Sequence, residues 1–322
     1  MKKLLSPEFV QKTLNTYNGK WSKNLCGANG LFFEFRSEET NYILRLTEEK
    51  HRSETDILAE INWIDHLKKS GLNVCHVILD KNKALMNQWV IDGVSFYAVA
   101  FKKANGMRVT FNNYPNGFEK NWGRTLARMH KAAENYTPVK VLRSEWNSDV
   151  LLEFVKSQIS DPDHKLIHQM TIANSYLKKL PKNHLNFGLI HSDLTPGNFM
   201  VLDNLEICIY DFDDSQYAYF MYDVNVILFM TLFHQSYQKN TFSIFHFYKN
   251  FITGYTEIRN IDQQILEALP HFLIFFNGLV YVSLQKRKIT KDNQALYDFV
   301  SKNIEAGFVS NQYIKDLSTT KQ

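Results

Sequence analysis

Apolar positions along the chain change their spacing once. In the first hundred residues they fall in short runs: "GLFFEF" (30–35) and "NYILRL" (41–46), parted by the polar "RSEET", predict a β-hairpin. "ALMNQWVI" (84–91) and "VSFYAVAF" (94–101) predict two more strands with Asp92-Gly93 as their turn. Between these pairs, residues 54–69 place Ile57, Ile61, Ile64 and Leu67 at helical spacing, and Gly71 ends the run. Beyond "KKANGM" (102–107) the spacing becomes helical: Trp122, Leu126 and Met129 line one face of 119–133. Further helices are expected at 148–159, 166–179, 217–235, 241–257 and 262–286. The β signal of this half is "FMVLDNLEICIYDF" (199–212), two apolar runs about Asp203-Asn204. The pattern predicts an α+β protein of two lobes, an antiparallel-sheet lobe over 1–102 and a mainly helical lobe over 103–322. Such plans place a ligand in the cleft between lobes.

Composition narrows the class without naming a function. The 322 residues are 44% hydrophobic and 22% charged, with a net charge of +4, which calls for neither nucleic acid nor an anionic membrane as partner. Short basic clusters such as Lys68-Lys69, Lys102-Lys103 and Lys286-Arg287-Lys288 read as solvated surface. Cys26, Cys75 and Cys208 are odd in number and far apart, which argues against a disulfide framework and fits a reducing compartment. The start "MKKLLSPEFV" is basic like a signal peptide, but Pro7 and Glu8 interrupt any apolar core. The run "FLIFFNGLVYVSL" (272–284) is too short to span a bilayer, holds Asn277, and reads as a buried helix. A soluble cytoplasmic protein is expected.

The chemistry concentrates in "GLIHSDLTPGNFMV" (188–201). His191, Asp193 and Asn198 repeat the spacing of the phosphoryl-transfer loop H-R-D-L-x-x-x-N, and Asp211 opens "DFDD" thirteen residues after Asn198. Phosphoryl transfer needs charge neutralised on the phosphates and a hydroxyl nucleophile held in line. Magnesium takes one or two protein oxygens beside phosphate oxygens and water. The Asn198 amide oxygen and Asp211 suit that need, and Asp193 is left to accept the hydrogen bond of a substrate hydroxyl. H-x-D alone would read as a polar surface loop; the joint spacing with D-x-D disfavours that. "GANG" (Gly27, Ala28, Asn29, Gly30) could offer backbone N–H groups to phosphates, although without context a plain β-turn is the plainer reading. Arg45 lies in the next strand, where a phosphate-pairing cation is wanted. Glu60 falls inside the apolar stripe of its helix; a carboxylate there needs a partner, and Arg45 is the candidate. Asp223, in the apolar "YFMYDVNVILFM", reads as a buried brace for the loop backbone, and His191 as a structural anchor. Asp213 and Asp214 are candidates for holding a substrate amine. Tyr217 with Tyr219, Phe220 and Tyr222 could box an ammonium group, though core packing is the plainer reading. His164 and His168 have chelating spacing but no third ligand motif, and read as a surface pair.

"FGLIHSDLTPGNFMV", "IYDFDDSQYAYFMYDVN", the "LARMH" helix and "AEINWIDHLKKSGLNV" together resemble the aminoglycoside phosphotransferase/choline kinase family, closest to its bacterial homoserine-kinase-like branch. The resemblance runs from about Gly27 to near Arg287. It implies a protein-kinase-like two-lobe fold and ATP- and Mg2+-dependent phosphorylation of a small-molecule hydroxyl. By it Asp193 is the catalytic base, Asn198 and Asp211 are magnesium ligands, and adenine sits near Ala100, Phe101 and Lys102. Ser192 stands where the family usually has Gly, Gly30 where Asn is common, and Arg45 where protein kinases have Lys. Substrate identity, ATP-versus-GTP preference and oligomeric state stay open. Two rivals remain: a kinase-fold nucleotide-binding or structural protein without turnover, and a protein Ser/Thr kinase. Only eleven residues separate Asp211 from the Asp223 helix residue, which leaves no room for a long activation segment.

Overall fold

The computed structural model describes residues 6–25, 30–111, 113–139, 143–237, 243–287 and 289–307. The chain forms two compact units. The first comprises the residues up to Met107 with Tyr136–Arg143 and Cys208–Asp213; the second comprises Arg108–Asn135, Ser144–Ile207 and the residues from Asp214 on.

In the first unit a sheet lies between two helices. Its elements are α1 (Pro7–Leu14), β1 (Lys20–Leu25), β2 (Leu31–Ser37), β3 (Thr40–Glu48), α2 (Glu54–Lys69), β4 (Val77–Ile78), β5 (Asn87–Ile91) and β6 (Val94–Lys102). The strands pair antiparallel in the order β1-β2-β3-β6, and the far edge of β6 is shared by β5 and β4. The β5–β6 turn puts Asp92 and Gly93 at φ 50° and 77°, the double left-handed geometry of a two-residue hairpin. Period-2 alternation sorts the side chains between the faces. Phe33, Phe35, Leu44, Leu46, Ala98 and Ala100 pack with Val10 and Leu14 of α1. Tyr97 and Val99 pack with Ile57 and Ile61 of α2. A reciprocal cap starts α2: the Ser53 hydroxyl accepts from the Asp56 N–H and the Asp56 carboxylate accepts from the Ser53 N–H.

The second unit is mainly helical. Its elements are α3 (Phe118–Glu134), α4 (Ser148–Gln158), α5 (Lys165–Leu177), β7 (Phe187–Ile190), β8 (Phe199–Val201), β9 (Ile207–Ile209, its last two residues assigned to the first unit), β10 (Gln216–Tyr219), α6 (Phe220–Tyr237), α7 (Ile244–Thr256), α8 (Gln263–Glu267), α9 (Leu269–Lys286) and α10 (Gln294–Ala306). Helices α3 and α7 touch backbone to backbone. A Cβ on Gly123 would lie 1.9 Å from the Phe251 carbonyl oxygen, and one on Gly254 would lie 1.9 Å from that of Lys120. Asn277, the polar residue inside the apolar α9, donates to Val300 O at 3.1 Å and accepts from Asn303 Nδ2 at 3.1 Å, so α10 satisfies it. Among the described residues no helix is long and apolar enough to cross a membrane.

Helices α1 and α10 lie where the sequence reading placed none, and two expected helices divide differently. The helix expected over 217–235 begins at Phe220, because Tyr217–Tyr219 are strand residues paired antiparallel with β7. The β7–β10 pair is thus a second β element of this half; runs of four residues are too short for periodicity to separate strand from helix. The helix expected over 262–286 is two helices, interrupted at Ala268 just before Pro270, which lacks the N–H a continuous helix would use.

Candidate functional site

The loop 191–198 of the second unit is held from behind by a buried carboxylate. Asp223, 1% exposed on α6, accepts the His191 N–H at Oδ2 (3.1 Å) and the Ser192 N–H at Oδ1 (2.6 Å). His130 of α3 lies 3.1 Å from Asp223 Oδ2 through Nε2, and its Nδ1 is 2.8 Å from the Tyr255 hydroxyl. Burial lowers the His130 pKa against the pull of Asp223, so the ring is neutral, donating from Nε2 and accepting at Nδ1. The Tyr255 hydroxyl in turn accepts from Arg259 at 2.9 Å.

Among the described residues the hydrogen bonds of Asp193 stay within the loop. Thr195 Oγ1 donates to Oδ1 (3.1 Å), Asn198 Nδ2 donates to Oδ2 and to the Asp193 carbonyl (both 2.8 Å), and the Asp193 N–H donates to His191 Nδ1 (3.3 Å). The Asn198 NH2 thus faces Asp193, and its amide oxygen is directed the other way, as a metal ligand would need. Burial pushes the Asp193 carboxyl up to about 6; Asp214 adds to this, and the hydrogen bonds of Thr195 and Asn198 work against it. Such a value keeps the group ionised at neutral pH yet basic enough to take a proton.

In the first unit Arg45 and Glu60 meet as a buried bidentate pair. Nη1 donates to Oε1 at 2.9 Å and Nη2 to Oε2 at 2.6 Å, with Arg45 4% and Glu60 1% exposed. Burial disfavours the guanidinium charge, but Glu60, with Asp213 and Asp211 contributing, raises its pKa above the ordinary value. The Arg45 Nε–H is buried and has no partner among the described residues. The guanidinium lies 5.1 Å from the Phe101 ring centroid. Asp211 is exposed and has φ 63°, a left-handed conformation uncommon outside glycine. Asp213 accepts from Arg52 Nε (3.1 Å) and lies 3.2 Å from His51 Nε2, while its carbonyl accepts from Arg52 (3.0 Å) and Arg143. Burial opposes the Asp213 charge, and Arg52, Arg45 and His51 more than offset this to lower its pKa.

The remaining candidates fall as follows. Gly27, Ala28 and Asn29 lie outside the described residues, and Gly30 precedes β2. Ala100, Phe101 and Lys102 close β6, where the Lys102 N–H donates to His76 O at 2.9 Å. Tyr217 is half-buried on β10, and Asp214 is exposed. Tyr219 and Phe220 belong to the core: the Tyr219 hydroxyl donates to Leu180 O, and Phe220 stacks on His130. His164 Nδ1 caps α5 by accepting the Leu166 N–H, and no metal-holding cluster of His, Cys, Asp and Glu occurs among the described residues. Sequence reasoning missed Arg52, Arg143 and Thr195. It missed His130 too, although a histidine in the apolar stripe of "LARMH" was a signal of the kind that singled out Glu60.

The chain is similar to several known proteins. Amicoumacin kinase of Bacillus subtilis (strain 168) is 28% identical over 262 residues, covering 80% of this chain and 77% of its own. A structure of amicoumacin kinase hAmiN in complex with AMP-PNP, Ca2+ and Ami superposes with a TM-score of 0.82 at 25% identity, over 95% of each chain. Two structures share the fold at lower identity. A microcompartment-associated aminopropanol kinase has a TM-score of 0.77 at 17% identity, over 97% of this chain and 99% of its own. A spectinomycin phosphotransferase in complex with ADP has a TM-score of 0.65 at 19% identity, over 98% of both chains. The model of the phosphotransferase enzyme family matches residues 27–252, a span that includes the 191–198 loop and ends within α7, and the chain belongs to that family.

Proposed function

We propose that the protein transfers the terminal phosphoryl group of Mg-ATP to a hydroxyl of a small molecule that also carries an amine. The observation that carries this reading is Asp193: a braced, largely buried carboxylate, raised to about 6, with its orientation fixed by Thr195 and Asn198. In that role Asp193 accepts the proton of the acceptor hydroxyl as the oxygen attacks phosphorus. Asn198 and Asp211 would hold magnesium, which when bound neutralises phosphate charge. The Arg45 guanidinium would pair with a nucleotide phosphate while Glu60 fixes its plane. Gly27 to Gly30 would cover the phosphates, and Ala100, Phe101 and Lys102 would adjoin the adenine. We assign the amine to Asp214, which is exposed, with Tyr217 three residues on. Amicoumacin kinase as a relative supports a small-molecule acceptor, and an aminopropanol kinase shares the fold. We place the enzyme in the cytoplasm; the buried Cys75 and Cys208 sulfurs, 3.7 Å apart, suit a reducing compartment.

The test compares alcohols with and without an amine as acceptors, following ADP release. An amino alcohol such as aminopropanol should show a KM lower than its amine-free counterpart by about tenfold, the factor that about 1.4 kcal/mol of ionic binding gives. Asp214→Ala should remove that difference. Equal KM values in the unsubstituted enzyme would sink the amine assignment.

A further inference from the structure

The residue before Asp193 has a backbone that its side chain does not favour. Ser192 lies at φ 71°, in the left-handed region where a Cβ crowds the backbone and glycine is preferred. It is 9% exposed, and its N–H is the 2.6 Å donor to Asp223. A glycine would take this conformation without cost but would have no hydroxyl. The Ser192 hydroxyl has a partner: Gln216 Nε2 donates to Oγ at 3.1 Å. Gln216 opens β10 and is in register with Ile190, the last residue of β7, so it stands beside the point where the chain leaves the sheet for the loop.

The hydrogen bonds of Asp193 go to His191, Thr195 and Asn198, all in the same loop, and therefore fix its carboxylate only relative to the loop. Asp223 anchors the loop to α6 through two backbone N–H groups. The Gln216 contact ties the same turn to β10, two residues past Asp214 in sequence. We propose that Gln216 and the Ser192 hydroxyl form a positioning clamp that fixes the loop carrying Asp193 against β10. The Ser192 strain is held in place by Asp223 on one side and Gln216 on the other, as a conformation of this kind requires. Its consequence for turnover rests on the reading of Asp193 as the base; its existence does not.

The experiment uses the whole chain with Gln216→Leu, Ser192→Ala and their double variant, and with Ser192→Gly as a variant whose backbone suits φ 71°. Amide hydrogen exchange over 189–194 is read without nucleotide, and kcat and KM are read with Mg-ATP and an amino-alcohol acceptor. Gln216→Leu should speed exchange in this segment about fivefold and lower kcat by a similar factor at unchanged KM for ATP, the size expected for one hydrogen bond. The double variant should be no slower than either single, because both remove one bond. Ser192→Gly should melt no lower than the unsubstituted protein and still lose turnover. Unchanged exchange in Gln216→Leu, or losses that multiply in the double variant, would overturn the clamp. If the unsubstituted protein shows no phosphoryl transfer, the proposed function fails, and the exchange measurement still decides the clamp.

Discussion

Replacing Asp193 by asparagine separates the two consequences of burying a base. The carboxyl stands at about 6 in the folded chain against an ordinary 3.8. At 1.36 kcal/mol per pKa step, holding it ionised in the fold costs about 3 kcal/mol. Asparagine has a similar shape and removes that cost. It also disturbs the hydrogen bond from Thr195, worth about 1 kcal/mol. The net is a gain of about 2 kcal/mol, or about 4 °C in Tm for a unit of this size. The sign with pH follows from proton linkage. Because the folded pKa is the higher, the native state binds more protons between about pH 4 and 6, and the penalty grows as pH rises through that window. It is fully present above about pH 6 and absent below about pH 4. Melting of Asp193→Asn and the unsubstituted protein should therefore diverge at pH 7.5 and converge toward pH 4.5. Turnover has the opposite dependence: it requires the ionised group, so kcat should fall with half-maximum near pH 6 as pH is lowered, and Asp193→Asn should lose it at every pH. An asparagine variant that melts lower than the unsubstituted protein at pH 7.5 would refute the reasoning.

Three further outcomes are expected. Glu60→Ala strands the buried Arg45 charge and should cost about 3–5 kcal/mol by denaturant melts, and Arg45→Met with Glu60→Leu should recover most of it. Gly254→Ala places a Cβ against the Lys120 carbonyl and should cost about 1–3 kcal/mol, so an unchanged Tm would contradict the α3–α7 contact. ATP at about a hundredfold its Kd should add roughly 2.7 kcal/mol of stability with magnesium present. Asp211→Ala should abolish the magnesium dependence of that shift.

The sheet unit was readable because its strands are long, alternate cleanly and are joined by a two-residue Asp-Gly turn. Helix α2 was readable to the residue, since its apolar spacing agrees with its cap and its end. Strands β7 and β10 were hidden because four-residue apolar runs carry no period, and the break before α9 was hidden because apolar residues continue on both sides of it. Among the site residues, Glu60 and Asp223 announced themselves as carboxylates in apolar helix faces, and the structure gives each a partner. Arg52 and Arg143 could not be found that way. Neither lies in a helical apolar stripe that would mark it, and only the folded chain brings them to Asp213. Gln216 was equally silent: its significance depends on the φ of Ser192, which no side-chain pattern encodes.

The central claim is phosphoryl transfer with Asp193 as the base, and the most direct measurement follows labelled γ-phosphate from Mg-ATP. The account predicts that the label moves to an added amino alcohol, that transfer requires magnesium, and that Asp193→Asn abolishes it while the variant still binds Mg-ATP. Label retained on ATP with every acceptor, or transfer that survives in Asp193→Asn, would contradict it; label found on protein instead would favour a protein kinase.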